Sequence, residues 1–153
     1  MDDPIHQLRG VSVFGALEEE TLDFLLARAV RVAVPAGDLL VRDKDPGGDL
    51  YILESGSAEV FKERGGPKPV RAHLADLGPG DCFGETSILA CMPRSASIVA
   101  RTDCTALRLR TTDLLSLRDH DVEQFAILMM NLGRETARRL WEANERLLDR
   151  LLE

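Results

Sequence analysis

Residues 77–96 read LGPGDCFGETSILACMPRSA, and this stretch is the most informative part of the sequence for both the fold and the predicted site. A Gly-Pro-Gly-Asp turn at 78–81 is followed by two apolar residues and by Gly84, which opens a predicted short helical turn. The first N–H groups of such a turn have no partners within the helix, so they suit the oxygens of a phosphate group. Because Pro93 turns the chain back, we expect Arg94 to bring its planar, cationic guanidinium to the same place.

Two polar residues complete the predicted site. Ser95 places a hydroxyl donor beside Arg94. Glu85 would repel a phosphate, but its carboxylate can accept hydrogen bonds from a neighbouring ribose hydroxyl, as acidic residues do in dinucleotide sites. A helix N-terminus, one arginine, one serine and one carboxylate therefore fit a singly charged ribose cyclic phosphate.

Short apolar runs flank this stretch on both sides, and turn clusters rich in glycine, proline and aspartate separate many of them. The runs cover residues 30–34, 39–41, 50–53, 58–61, 70–77, 97–100 and 106–109. Short strands at turn spacing predict about eight strands in a small sandwich or barrel between residues 30 and 110. Residues 1–29 are predicted to be helical, and the helical period returns from residue 111.

Four segments of the chain follow one another in an order and spacing typical of one family. They are Phe14-Gly15-Ala16-Leu17 with the acidic helix after it, residues 34–38, the hairpin at 45–57, and residues 77–96. On these residues the chain resembles the cyclic nucleotide-binding domain family, which includes catabolite activators, kinase regulatory subunits and cyclic-nucleotide-gated channels. The resemblance implies a mainly β fold, an eight-stranded jelly-roll (double-stranded β-helix) barrel with N-terminal helices and a long C-terminal helix. It also implies a phosphate-binding cassette at 83–96 and a non-enzymatic module without a cofactor. Its ligand would be cAMP or cGMP, with a cyclic dinucleotide left open.

The resemblance further implies roles for individual residues. Glu85 would contact the ribose 2′-hydroxyl and Arg94 the cyclic phosphate, while Ser95 would offer its hydroxyl to the phosphate or the base. Gly84 and Ser87 would offer backbone donors. The full set of predicted ligand-binding residues is Phe83, Gly84, Glu85, Thr86, Ser87, Arg94, Ser95, Ala96 and Asn144.

The helix predicted over residues 122–153 carries a stripe at alternating spacings of three and four, the a and d positions of a heptad. The stripe consists of Met130, Gly133, Ala137, Leu140, Asn144, Leu147 and Leu151. The charged positions facing away from it are Glu135, Arg138, Arg139, Glu142, Glu145, Arg146 and Asp149. Among them, Glu135–Arg139 and Glu142–Arg146 are predicted to form favourable i,i+4 ion pairs. This pattern predicts a parallel homodimer through the helix, because the stripe would otherwise be exposed. The alternative is that the stripe packs on the chain's own barrel.

Asn144 has two interpretations. At an a position, a polar side chain lowers stability but selects the register and a two-stranded pairing. Residues 137–140 also resemble a segment of the long helix in catabolite activators. In those proteins, the helix residues that contact the base of the nucleotide follow shortly after this segment. The resemblance therefore implies that Ala143 or Asn144 lies near the purine. In a dimer Asn144 could serve both purposes.

One departure from the family lies at the start of the central hairpin, where Lys44-Asp45 stands in place of the usual Gly-Asp. A lysine in a turn that favours positive φ would cost about 1 kcal/mol or shift the turn. The departure bears on the geometry of the hairpin and not on the cassette.

Composition and residue spacing exclude several other functions. The formal net charge of −7 disfavours a nucleic acid or an anionic membrane as the main partner. Cys82, Cys91 and Cys104 lack metal-ligand spacing, so we expect reduced thiols and a cytoplasmic protein. The three histidines are isolated, and Ser87 and Ser95 lack a His/Asp pair in the sequence, so neither a metal site nor an enzyme is predicted.

We expect residues 1–153 to form one domain. It would comprise a helical portion at 1–29, the barrel at 30–110 and C-terminal helices at 111–153. Such a length predicts no room for an effector domain, so the signal would pass to a separate effector protein. Two alternatives stay open: a barrel that has lost nucleotide binding and serves as a protein-interaction module, or the sensor fragment of a transcription regulator.

Overall fold

Eight strands form two antiparallel sheets in the computed structural model, which describes residues 4–153. The strands are β1 (Val30–Val34), β2 (Leu39–Val41), β3 (Asp49–Ser55), β4 (Ala58–Arg64), β5 (Val70–Leu77), β6 (Cys82–Phe83), β7 (Ser97–Ala100) and β8 (Cys104–Arg110). The first sheet has the order β1-β8-β3-β6, and the second sheet has the order β2-β7-β4-β5. This is the jelly roll that the resemblance implies, so the predicted fold class is confirmed.

Helices lie before, within and after the barrel. They are α1 (Pro4–Arg9), α2 (Glu19–Arg28), α3 (Glu85–Leu89), α4 (Thr111–His120) and α5 (Val122–Leu152), with a 3-10 turn at Ser12–Phe14. The predicted N-terminal helical portion therefore consists of three short pieces, and its residues 1–3 lie outside the described residues. The two-residue strand β6 was not predicted separately, because two residues show no period.

The inner strand β3 is apolar on both faces, because a core lies on each side of the first sheet. Leu50 and Ile52 belong to the core shared with the helices, whereas Leu53 belongs to the core between the two sheets. The helices contribute side chains that are almost fully buried: Leu22, Leu25, Leu114, Leu117, Leu128 and Leu132. Helices from both ends of the chain thus share one core with the first sheet.

Hydrogen bonds join the start of α5 to the start of α2. Gln124 Oε1 accepts hydrogen bonds from the backbone N–H of Glu18 at 2.9 Å and from the Thr21 hydroxyl at 2.7 Å. The Asp121 carboxylate accepts from the backbone N–H of Gln124 at 3.2 Å and caps the helix. These contacts fix where the long helix leaves the domain.

α5 buries one face against the chain and exposes the other. Leu128 and Leu132 are fully buried and Glu135 is 8% exposed, whereas every residue of the predicted stripe is exposed. Leu140 and Leu151, for example, are 61% and 73% exposed. The alternative in which this stripe packs on the chain's own barrel is therefore wrong. No helix in residues 4–153 combines the length and the apolar character needed to cross a membrane.

The turn before β3 forms despite its lysine. Lys44 has φ of +70°, so it occupies the left-handed conformation, at a cost of about 1 kcal/mol. Its backbone N–H donates to the Arg94 carbonyl at 2.9 Å, and the Arg94 N–H donates to the Asp45 carbonyl at 2.9 Å. The turn thereby holds the backbone of Arg94 from both sides.

Glu59, on β4, is surrounded by three basic side chains. Arg71 and His73 of β5 contact its carboxylate at 2.7 and 2.6 Å, and Arg101 contacts it at 2.6 Å. Hydrogen bonds from His73 and Arg71, with a smaller contribution from Arg101, lower the pKa of Glu59 from 4.5 to about 2 despite its partial burial. A lowered pKa in the folded state means that these contacts stabilise the fold above pH 4.5, and that this stability is lost as the pH falls toward 2.

We therefore expect Glu59→Gln to make the free energy of unfolding less dependent on pH between about pH 5 and pH 3, because the amide does not titrate. The measurement is urea unfolding at a series of pH values. Glu63→Gln, on the same strand, is the control, because Glu63 is exposed and forms none of the ion pairs found in residues 4–153. Parallel acid destabilisation of wild type and Glu59→Gln would contradict the assignment.

Candidate functional site

A cavity lies between the second sheet, the cassette and α5, and it is open to solvent. Its polar lining is Gly84, Glu85, Thr86, Ser87, Arg94, Ser95 and Arg139, and its apolar lining is Val41, Val60, Leu77, Phe83, Ala96 and Ile98. The structure thus brings together the predicted residues of the cassette. Asn144 does not line the cavity; it lies exposed on α5, within the stripe.

Arg94 is a buried cation held by neutral oxygens. It is only 9% exposed, and its Nη1 donates to Ser87 Oγ at 3.1 Å while its Nη2 donates to the Asp49 carbonyl at 3.1 Å. None of the ion pairs within residues 4–153 includes Arg94. A buried charge is costly without a counter-charge, so an anion bound at Arg94 would be strongly favoured.

Gly84 allows the guanidinium of Arg94 to lie against the backbone. Its φ is +90°, a conformation that favours glycine. A Cβ at this position would also stand 2.5 Å from Arg94 Nη1, and closer still to the Asp49 carbonyl oxygen. Glycine is therefore required here by both conformation and space.

Glu85, the first residue of α3, is 5% exposed and pairs with Arg139 of α5. Arg139 Nη1 donates to Glu85 Oε1 at 2.8 Å, and the same guanidinium donates to the Cys82 carbonyl and contacts Glu135 at 3.0 Å through Nε. Among the described residues, no hydrogen bond engages Glu85 Oε2. The carboxylate therefore keeps acceptor capacity for a hydroxyl of a ligand.

Arg139 lines the cavity but does not belong to the set of ligand-binding residues that the sequence predicts. The heptad pattern placed it correctly on the charged face away from the stripe, and the predicted Glu135–Arg139 pair is present. That face lies against the cassette at this point, which the helix pattern alone does not reveal. The one signal in the sequence is the resemblance at residues 137–140, which contains Arg139 but predicts only that Ala143 or Asn144 lies near the base.

The second predicted ion pair of α5 is replaced by another. Glu142 accepts a hydrogen bond from Arg138 Nη1 at 2.6 Å, and no ion pair joins Glu142 to Arg146 among the described residues. Arg138 also contacts Glu135 at 2.6 Å. Arg138 therefore links Glu135 with the exposed part of the helix.

The aromatic and sulfur groups near the cavity have structural roles. Phe83 is 3% exposed and stacks on Tyr51 with ring centroids 5.0 Å apart, as expected for a core residue. All three cysteines are free. Burial raises the pKa of the Cys82 thiol to about 12, so this group stays protonated at neutral pH. Within residues 4–153, no group of three His, Cys, Asp or Glu side chains is placed to hold a metal ion.

Comparison with protein families identifies the family of this domain. Residues 31–121 match the cyclic nucleotide-binding domain family, over more than half of the chain. The protein therefore belongs to the cyclic nucleotide-binding domain family. Domains of this family are typically non-catalytic regulatory modules.

Two relatives show how the similarity is distributed. The cyclic AMP receptor protein of Thermus thermophilus is 35% identical over 137 residues, which are 90% of this chain and 61% of that protein. The cAMP-dependent protein kinase regulatory subunit of Aspergillus niger is 42% identical over 78 residues, 51% of this chain and 18% of that protein. The chain thus spans less than two thirds of the length of either relative.

Solved structures show the same architecture. A cyclic nucleotide-binding domain from Methylobacillus flagellatus superposes with a TM-score of 0.83 at 25% identity, over 95% of this chain and 81% of that one. The catabolite activator protein of Thermus thermophilus superposes with a TM-score of 0.75 at 35% identity, over 89% of this chain and 61% of that one. Both similarities extend through the barrel and its flanking helices.

The contact between Gly84 and Arg94 predicts the effect of one added methyl group. We expect Gly84→Ala to lower the free energy of unfolding by about 1–2 kcal/mol for the left-handed backbone and by about 1–3 kcal/mol more for the displaced guanidinium. Gly80→Ala is the matched control, because Gly80 has φ of +92° but no atom within 4 Å of an added Cβ. Equal losses of stability in urea unfolding of the two variants would contradict the close approach of Arg94.

Proposed function

We propose that this domain binds one purine cyclic mononucleotide, cAMP or cGMP, in the cavity, and that it acts as a non-enzymatic sensor. The observation that carries the proposal is the buried guanidinium of Arg94, which has no carboxylate partner among the described residues and lines the same cavity as Glu85. A cyclic phosphate would supply the missing negative charge, and its hydrogen bonds to Arg94 would be charge-assisted.

Each part of the ligand has a complementary part of the cavity. The ribose 2′-hydroxyl would donate to Glu85, whose Oε2 is not engaged by the described residues. Ser95, beside Arg94 in the lining, would donate its hydroxyl to the phosphate or the base. The apolar side chains of the second sheet, Val60 and Ile98 among them, would receive the base.

Binding would be linked to α5 through Glu85. Because Arg139 of α5 holds Oε1 of this carboxylate, a ribose hydroxyl at Glu85 would change the environment of the helix directly. A ligand moves a conformational equilibrium only by the difference in its affinity for the two states. In this proposal the two states are two positions of α5 relative to the cassette, and the ligand favours the position closer to the base.

The exposed stripe on α5 supports a parallel homodimer. Large apolar side chains are exposed in the last part of the helix: Leu140, Trp141, Leu147, Leu148, Leu151 and Leu152. Pairing with a second copy would cover Leu140, Leu147 and Leu151 in a coiled-coil seam, and Asn144 would then set the register. Signalling would pass from this helix to a separate effector protein.

A second candidate is the sensor part of a transcription regulator. The observation in its favour is the similarity to the N-terminal domain of a transcriptional regulator from Streptomyces coelicolor, which superposes with a TM-score of 0.71 at 31% identity over 92% of this chain. Both candidates require the same ligand site. The length of the natural gene product distinguishes them.

The central role of Arg94 predicts that Arg94→Ala weakens binding of cAMP and cGMP by about 100-fold or more, since it removes one partner of a buried ion pair with the ligand. Isothermal titration calorimetry measures this, with Arg118→Ala as the control because Arg118 lies exposed on α4. Unchanged affinity in Arg94→Ala would refute the phosphate site. A wild-type titration without heat for either nucleotide would instead support the interaction module that has lost nucleotide binding.

The stripe predicts that Leu147→Glu shifts the protein from dimer to monomer in sedimentation velocity, because it places a charge in the seam. Leu147 is 56% exposed within one chain, so the substitution should leave the folded domain intact. Arg146→Glu, one residue away and outside the stripe, is the control and should stay dimeric. A monomeric wild type, or a dimer that survives Leu147→Glu, would exclude this interface.

A further inference from the structure

The Ser87 hydroxyl makes three hydrogen bonds to three different parts of the chain. It donates to the Gly84 carbonyl at 2.9 Å, and it accepts from Arg94 Nη1 at 3.1 Å and from the Gly48 backbone N–H at 3.3 Å. A serine hydroxyl has one proton and two lone pairs, so these bonds use its full capacity. Ser87 is 7% exposed, and its hydroxyl is therefore committed to the protein rather than to a ligand.

The turn between β2 and β3 is shaped to fit this side chain. A Cβ at Gly47 would overlap both Cβ and Oγ of Ser87, and it would stand 3.2 Å from the Met92 carbonyl. The φ of Gly47 is not in the left-handed region, so its conformation alone does not require glycine. The close approach of Ser87 gives a physical reason for glycine at this position.

The same hydroxyl determines which way Arg94 points. The guanidinium has two acceptors within the described chain, Ser87 Oγ and the Asp49 carbonyl, and both are neutral. Two neutral acceptors fix the orientation of the guanidinium without neutralising its charge. Loss of the hydroxyl would leave Arg94 Nη1 without its acceptor, and the guanidinium would be free to turn away from the cavity.

We propose that Ser87 is a positioning residue for phosphate recognition, acting through its side chain on Arg94 and on the turn at Gly47-Gly48. This inference rests on the proposed function and adds a residue to it. This side-chain role differs from the backbone donor that the resemblance implies for Ser87, because the backbone N–H remains when the hydroxyl is removed. The hydroxyl and the ligand contact the same guanidinium, so their effects on affinity must be coupled.

The binding test compares Ser87→Ala in the wild type and in Arg94→Lys, with cAMP and cGMP titrated by calorimetry. We expect Ser87→Ala to weaken binding about tenfold in the wild type, the usual effect of removing one hydrogen bond to a charged group. In Arg94→Lys, whose ammonium lacks the planar fork, we expect Ser87→Ala to cause no further loss. No loss in the wild type, or equal losses in both backgrounds, would overturn the proposal.

A second arm uses no ligand. Gly47→Ala should lower the free energy of unfolding in urea through its overlap with Ser87, and Ser87→Gly should lower it less in Gly47→Ala than in the wild type. Gly65→Ala is the matched control, because an added Cβ there meets no atom within 4 Å and its φ is not in the left-handed region. Equal losses from Ser87→Gly in the two backgrounds would refute the contact.

The outcomes separate this inference from the function on which it rests. If the wild-type chain binds neither nucleotide, the proposed function fails and the role of Ser87 fails with it. If the wild type binds and Ser87→Ala binds equally well, only the role of Ser87 fails.

Discussion

The guanidinium of Arg139 is the contact on which the relation between the site and the long helix depends. Glu85 and Glu135 are 5% and 8% exposed, and both contact this one cation. Buried carboxylates are costly unless they are paired, so loss of Arg139 would leave Glu85 without a cation, whereas Glu135 would keep its contact with Arg138. Because Glu85 belongs to the cassette and Glu135 to α5, the same pairing ties the helix to the wall of the cavity.

The two arginines of the cavity have different partners. Arg139 is paired with carboxylates, whereas Arg94 is held by neutral oxygens and keeps its charge for a ligand. The cavity therefore offers one position for an anion and, at Glu85, one acceptor for a hydroxyl, which are the two polar groups of a ribose cyclic phosphate. The net charge of −7 cannot draw an anion in, so the proposed attraction is local.

Local sequence was sufficient for the barrel and for most of the cassette. The observed bounds of β5 and β7 match the predicted apolar runs, and Gly84 and Arg94 lie only ten residues apart in one motif. Arg139 could not be found in this way, because 54 residues separate it from Glu85 and no local pattern reports which surface a helix covers. The side-chain role of Ser87 was missed for a related reason, since it depends on a turn that folds back from another part of the chain.

Amide hydrogen exchange of the full chain, read by mass spectrometry with and without saturating cAMP, tests the link between the site and α5 most directly. The Glu85–Arg139 ion pair predicts slower exchange in the cassette at 83–96 and in α5 around residues 135–139, with strands β1, β3 and β8 of the first sheet unchanged. Exchange that slows in the cassette but not in α5 would contradict the link through Glu85 and Arg139. Exchange that changes in neither segment would contradict the site itself.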